Sequence, residues 1–150
     1  MILSEALSNV STLFLDTALI IYFVERNPHF FITVKGFFEH IDAGSIEAVT
    51  SPITLSECLV IPHRQDNLQL QQDFQELIVY GQHTRFVNIN HSIGVRAAQL
   101  RAVYNYTLPD VLQLATALES GCDAFLTNDK TLSNTAEIKV IVLDDIEPAS

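Results

Sequence analysis

Short apolar runs alternate along the chain with longer segments of helical spacing. In those segments the apolar residues recur three and four positions apart, which places them on one helix face. The strand candidates are 13–15, 46–49, 86–89, 124–127 and 140–143. The alternation predicts an α/β fold: a parallel five-stranded sheet with helices on both faces and right-handed crossovers.

Turn and capping residues mark several ends of the predicted helices. The pattern Thr54-Leu55-Ser56-Glu57, close after Ser51-Pro52, is typical of a capping box and predicts a helix that begins there. Pro109 suits a first helical turn, and Gly121 is a typical C-terminal stop. The predicted helices therefore cover 18–27, 30–41, a segment that begins near 54, 65–82, 95–104 and 107–120.

Length and composition favour one folded domain over residues 1–150, with a core at about 12–144. The apolar fraction of 48% and the charged fraction of 17% are those of a globular protein. No apolar run approaches the ~20 residues that span a bilayer, and 1–10 lacks a basic region followed by a long apolar run. We expect a cytoplasmic protein that does not enter a membrane.

Cysteine and histidine spacing gives no local metal motif. Cys58 and Cys122 form no CxxC pair and are expected to be buried, reduced thiols in helical segments. The histidines never fall three or four positions apart, so surface positions are expected for all of them: His29, His40, His63, His83 and His91.

The formal charge of -10 argues against broad, non-specific binding of nucleic acid, which needs a positive field. It leaves a nuclease possible, because a divalent cation bound by clustered carboxylates reverses the local sign of the field. If the protein binds nucleic acid, the position of its acidic residues is therefore more informative than that of its basic residues.

Four acidic residues lie where predicted elements begin or end. Asp16 and Asp129 follow strands, at the sheet edge where ligands bind in parallel α/β folds. Each acid also has an ordinary explanation: Glu57 in a capping box, Asp110 in a helix first turn, Asp129 in a turn. Because all four share one kind of boundary, we expect a carboxylate pocket that can bind a divalent metal.

Three segments resemble the PIN-domain family of ribonucleases, and together they span nearly the whole chain: LFLDTALIIYFVE, SPITLSECL and LPDVLQLATALESGCDAFLTNDKTL. The resemblance implies one PIN-like domain. Asp16, Glu57 and Asp110 match the three core acids of the family, and Asp129 matches a fourth, more variable one. Thr127 matches the hydroxyl of its Thr-x-Asp motif, which supports the site.

The resemblance also implies an activity: metal-dependent hydrolysis of RNA phosphodiester bonds, with Mg²⁺ or Mn²⁺ as cofactor. Asp16 and Asp110 are expected as principal metal ligands, with Glu57 and Asp129 bound directly or through water. Many relatives are toxins of toxin–antitoxin pairs, which implies a homodimer and an antitoxin protein that covers the pocket. The apolar residues of the helices over 18–41 are expected mostly in the core.

A few further positions bear on this expectation. Thr17 is expected to cap the turn after Asp16 and so to support the site, and Lys130 is a weak candidate for contact with RNA. The sequence departs from the family at Ala18, where many members have Asn, and at Thr131-Leu132, in place of a frequent Asp-Phe. Both departures affect substrate contacts or loop geometry more than the acids.

Two other functions are compatible with the sequence. One is a catalytically inactive or regulatory PIN-like domain that acts through protein contacts. The other is a phosphatase-type enzyme with Asp16 as nucleophile, but such enzymes commonly need a second Asp two residues later, and that position is Ala18.

Overall fold

The computed structural model describes residues 1–148, which form five β-strands, seven α-helices and two 3-10 helices. The strands are β1 (Thr12–Leu15), β2 (Glu47–Thr50), β3 (Thr84–Phe86), β4 (Ala124–Thr127) and β5 (Lys139–Val142). The α-helices are α1 (Leu3–Ala6), α2 (Thr17–Val24), α3 (Phe31–Asp42), α4 (Pro52–Arg64), α5 (Leu68–Ile78), α6 (His91–Val103) and α7 (Leu108–Glu119). The 3-10 helices are Lys130–Asn134 and Leu143–Asp145.

All paired strands are parallel, and their order is β3-β2-β1-β4-β5. The pairs Leu13↔Ala48 and Phe14↔Phe125 set the register of β1 against its two neighbours. This confirms the predicted fold. The chain proceeds from β1 outward in one direction and from β4 outward in the other, so the order reverses between these two strands. In open α/β sheets ligands bind beside such a reversal, at the carboxyl ends of the strands.

Alternate residues of the central strands point into two separate cores, as the pleat of a strand requires. Phe14 and Phe125 stack at a centroid distance of 5.1 Å in the core beneath α6 and α7. Leu13 and Leu15 point into the other core, which the first five helices cover. Helices on both faces bury the sheet and leave its carboxyl edge for a site.

The apolar residues of α2 and α3 pack mostly in the core, as expected. Phe37 and Phe38 are buried, and Phe23 stacks on Phe38 with a centroid distance of 4.1 Å. Ile32 is the exception among the bulky side chains of α3, with 55% of its surface exposed. Core packing therefore accounts for most of this aromatic content.

Several predicted boundaries were wrong. β3 was expected over 86–89 but lies two residues earlier, because its register is set by pairing with β2 through Ala48↔Thr84. α6 begins before the expected residue 95, because the Asn90 side chain caps it by accepting from the Ile93 N–H at 3.0 Å. The short helix α1 was not predicted.

The expected capping box at Thr54 was also wrong. Ser51 is the cap of α4, since its Oγ accepts from the Ile53 N–H at 3.1 Å and Pro52 occupies the first helical position. Thr54 and Glu57 therefore both lie inside the helix. Glu57 is free of the capping role that was its ordinary explanation.

The thiols and histidines lie largely where the sequence placed them. Burial raises the pKa of Cys58 and of Cys122 to about 12, so both are unreactive reduced thiols, although Cys122 follows α7 instead of lying within a helix. All five histidines are exposed. No helix within residues 1–148 has the length and apolar character needed to cross a membrane.

Candidate metal centre

Asp16 lies at the reversal of strand order, directly after β1. Its backbone N–H donates to the carbonyl of Leu126 in β4 at 3.0 Å. Its carboxylate caps α2 by accepting from the Thr17 N–H at 2.9 Å, and it also accepts from the Thr127 hydroxyl at 2.7 Å. The sheet and the following helix together fix this carboxylate in place.

The ionised form of Asp16 is unfavourable in its folded environment. The pKa of this carboxyl is raised from 3.8 to about 6: burial is the main cause, the charges of Asp110 and Glu57 add to the rise, and the bonds from Thr127 and Thr17 oppose it. A carboxyl group that is buried and faces two others is stabilised by a cation, which removes the repulsion. The electrostatics therefore favour a positive ligand here.

Glu57 lies in the second turn of α4, and Thr17 connects it to Asp16. The Thr17 hydroxyl donates to Glu57 Oε1 at 2.6 Å, and its N–H donates to Asp16. Thr17 was expected to cap a turn; instead its two donors orient two acids of the predicted set. The Glu57 side chain remains exposed to solvent.

Asp110 reaches the same edge from α7. The helix leads into the amino end of β4, so its own first turn lies at the carboxyl edge of the sheet. Thr107 caps it by accepting from the Asp110 N–H at 3.3 Å, as the sequence indicated. The structure thus brings Asp16, Glu57 and Asp110 together.

Asp129 occupies a different environment. Its side chain is exposed, and Oδ1 accepts from both the N–H and the hydroxyl of Thr131, at 3.0 and 2.7 Å, which caps the first 3-10 helix. Only its backbone faces inward, where the N–H donates to the Thr127 hydroxyl at 3.1 Å. The fourth predicted acid is therefore adjacent to the site but engaged with its own helix.

Lys130, the weak candidate for RNA contact, is paired with an acid. Its Nζ lies 3.5 Å from Asp144 Oδ2, and both side chains are substantially exposed. Arg85 is likewise paired, with Glu47 at 3.1 Å. These pairs reduce the positive charge that either residue offers to a phosphate.

Sequence reasoning missed Gln113, a polar side chain in the buried face of α7. Its exposure is 2%, and its amide bonds to Ser51 and to Thr54 of α4. The available signal was a long polar residue between Val111 and Leu114, at a position where the helical pattern calls for an apolar one.

The donor set fits a hard divalent cation. Mg²⁺ typically binds one or two carboxylates and retains several waters, and Mn²⁺ likewise prefers oxygen ligands. Asp16 and Asp110 are carboxylates of this kind, and the charge of Asp110 acts on Asp16. Within residues 1–148 no group of three or more acids, histidines or cysteines is already spaced to enclose an ion. A cation at this site would thus rely on water for part of its coordination.

A parallel five-stranded sheet with acids at its carboxyl edge defines an α/β protein with a candidate metal site. The PIN domain model matches residues 13–138, which is most of the chain. The protein belongs to the PIN domain family. No curated protein matches this sequence.

Solved structures of similar fold include several toxin–antitoxin proteins. VapBC2 of Rickettsia felis, bound to a promoter DNA fragment, is 12% identical with a TM-score of 0.70, over 87% of this chain and 98% of that one. A Klebsiella pneumoniae toxin–antitoxin complex is 23% identical, with a TM-score of 0.66 over 89% and 98%. VapC20 of Mycobacterium tuberculosis, a toxin that cleaves the sarcin-ricin loop, is 14% identical, with a TM-score of 0.65 over 85% and 98%. At these identities the likeness shows a shared fold.

Proposed function

We propose that this protein is a metal-dependent endoribonuclease that hydrolyses RNA phosphodiester bonds at the site of Asp16, Glu57 and Asp110. The observation that carries the proposal is the Asp16 carboxyl, whose pKa is raised to about 6 by burial and by the two neighbouring acids. A cation bound at this site would remove the repulsion between these acids. PIN domains are nucleases, which supplies the reaction.

The residues of the site have separate roles in this proposal. Asp16 and Asp110 would hold Mg²⁺ or Mn²⁺, and Glu57, oriented by Thr17, would position a water and accept its proton. Thr127 holds the Asp16 carboxylate in the ionised form that binds a cation. A cation bound there would offset phosphate charge and acidify water at the site. Asp129 would act through water, because its carboxylate is engaged with Thr131.

The acidic character of the chain is compatible with an RNA substrate. With a net charge of -10, the protein as a whole repels a polyanion, so binding depends on the local sign at the site. Lys130 adds little positive charge near the site, because its ammonium group is paired with Asp144. We therefore expect weak RNA binding without metal and strong dependence on it.

A further part of the proposal concerns partners. The similar structure from Klebsiella pneumoniae is a toxin–antitoxin complex, and VapC20 of Mycobacterium tuberculosis is a toxin. This supports a role as the toxin of such a pair, inhibited by a small antitoxin protein. A homodimer and a cytoplasmic location remain predictions from the family resemblance.

The deciding experiment compares two Asp→Asn variants at opposite ends of β1. Asp123 also accepts from two backbone N–H groups, those of Ser11 and Thr12 at 2.8 and 3.0 Å, but at the amino end of the strand. We expect cleavage of RNA by the wild type and by Asp123→Asn in Mn²⁺ or Mg²⁺, and none by Asp16→Asn. Cleavage by the wild type that persists in EDTA would overturn the metal mechanism.

The alternative function is an inactive or regulatory PIN-like domain. Calorimetric titration with Mn²⁺ discriminates between the two, because a module that acts through protein contacts has no need for Mn²⁺ at Asp16. Growth arrest on inducing the wild type, but not Asp16→Asn, would support the toxin role. Absence of arrest, with cleavage retained in vitro, would favour a nuclease outside a toxin–antitoxin pair.

A further inference from the structure

A buried amide bridge connects the helix that carries Glu57 to the helix that carries Asp110. Gln113 lies on α7 three residues after Asp110, and Thr54 lies on α4 three residues before Glu57. In a helix such positions are neighbours on one face. The two bridging residues are therefore each about one helical turn from an acid of the site.

Both ends of the Gln113 amide are used. Its Oε1 accepts from the Ser51 hydroxyl, and its Nε2 donates to Thr54 Oγ1 at 2.7 Å. The Ser51 Oγ also accepts from the Ile53 N–H as the cap of α4. Ser51 and Thr54 are fully buried, and every buried side-chain nitrogen and oxygen within residues 1–148 has a partner. The network is closed to solvent, and each of its polar side-chain atoms has a partner.

We propose that Gln113 is a positioning residue, whose bonds to Ser51 and Thr54 set the separation of α4 and α7 and hence that of Glu57 and Asp110. This inference rests on the proposed function, because the separation matters for a cation and a phosphate between the acids. An apolar residue at 113 would also fill the space, but without a directional contact that fixes how the helices align.

The test uses Thr54, because two substitutions there separate the hydroxyl from the shape. Thr54→Val keeps the shape and removes the acceptor for Gln113, whereas Thr54→Ser keeps the hydroxyl. Thr116→Val is the matched control: Thr116 is buried in α7, but its hydroxyl donates to Leu112 of the same helix at 2.7 Å. The readouts are Mn²⁺ affinity by calorimetry and RNA cleavage at saturating RNA.

We expect Thr54→Val to weaken Mn²⁺ binding and to lower kcat by about 10- to 100-fold, the range for partners that orient metal ligands. Thr54→Ser and Thr116→Val should stay close to the wild type in both. Thr54→Val with wild-type affinity and kcat would overturn the inference while leaving the proposed function intact.

Loss of stability is separated from loss of position by the double variant Thr54→Val/Gln113→Leu, which removes both partners of the Nε2–Oγ1 bond, while the Ser51 oxygen still accepts from the Ile53 N–H. We expect it to regain resistance to urea relative to Thr54→Val but not Mn²⁺ affinity. Recovery of both together would show a purely structural role and overturn the inference. A wild type that binds no Mn²⁺ would instead overturn the proposed function. In that case a crystal structure of Thr54→Val tests the positioning role directly, and unchanged placement of α4 and α7 would reject it.

Discussion

Asp16 and Asp129 begin from the same sequence setting and end in opposite environments. Each follows a strand of the sheet centre, and each caps the helix that comes next. Asp16 is held by Thr127 and Thr17 in a partly buried position, where loss of solvent and, to a smaller extent, two other acids raise its pKa. Asp129 is exposed, and its carboxylate is satisfied locally by Thr131.

The difference shows what turns a capping residue into a candidate ligand. A local cap engages its carboxylate with donors from adjacent residues, which reduces the need for a further ligand. Asp16 receives one donor from β4 and faces acids from α4 and α7, contacts that only the tertiary fold supplies. At Asp16, acids from distant elements create an unfavourable charge, whereas the charge of Asp129 is satisfied by adjacent residues. It is the first kind of environment that indicates a candidate functional site.

The largest expected effect is on catalysis. Asp16→Asn should lower kcat/KM for RNA by about 10²–10³-fold or more, as removal of a key electrostatic group does. Asp129→Asn should cost about tenfold at most, because the asparagine oxygen can still accept from Thr131 and only water-mediated contact is affected. Cleavage assays at saturating Mn²⁺ measure both. Equal losses would contradict the distinction between the two aspartates.

The second largest expected effect is on how the free energy of unfolding depends on pH, which should differ between the Asp16 and Asp129 variants. Asp16 has a pKa of about 6 in the folded protein against an ordinary value of 3.8, so the folded state binds the proton more tightly. Ionisation therefore destabilises the fold as pH rises from about 4 through about 6, by up to about 3 kcal/mol. Asp16→Asn should be more stable than the wild type by about that amount at pH 7 in EDTA, and should lose the advantage below pH 4.

Urea unfolding between pH 4 and pH 8 measures this difference, and Asp129→Asn serves as the control. That variant should remain within about 0.5 kcal/mol of the wild type throughout, as exposed substitutions do. Addition of Mn²⁺ should raise the stability of the wild type and not that of Asp16→Asn. A gain for Asp16→Asn that is independent of pH would show that its carboxyl is not strained by charge.

Much of the fold was predictable because the deciding signals are local. The apolar run of β4 was located to the residue, and α7 was bounded by Thr107 and Gly121, whose φ of +75° favours glycine. β3 was misplaced because an edge strand takes its register from its neighbour. The cap of α4 was misplaced because Ser51 and Thr54 both fit a capping pattern, and the bridge to Gln113 lies outside any local window.

The site was predictable only in part for the same reason. Boundary positions together with the family resemblance were enough to nominate the four acids. The contact of Thr17 with Glu57 joins residues 40 positions apart, and that of Thr127 with Asp16 joins residues 111 apart. No spacing rule contains those distances. The sequence also could not show that the Asp129 carboxylate bonds to Thr131, because an aspartate that caps a helix and one that binds a metal can occupy the same position after a strand.

The smallest expected effect is on stability, and it concerns the threonine hydroxyls that donate to the two aspartates. Thr127 is fully buried and donates to Asp16, so Thr127→Val should cost about 2 kcal/mol at pH 8, where Asp16 is ionised. It should also raise the pKa of Asp16 above about 6, which makes the loss grow with pH between 4 and 8. Thr131→Val should stay within about 0.5 kcal/mol, because Asp129 is exposed and keeps the Thr131 N–H. Urea unfolding at both pH values tests this, and similar losses for both variants would mean that Asp16 is satisfied as locally as Asp129.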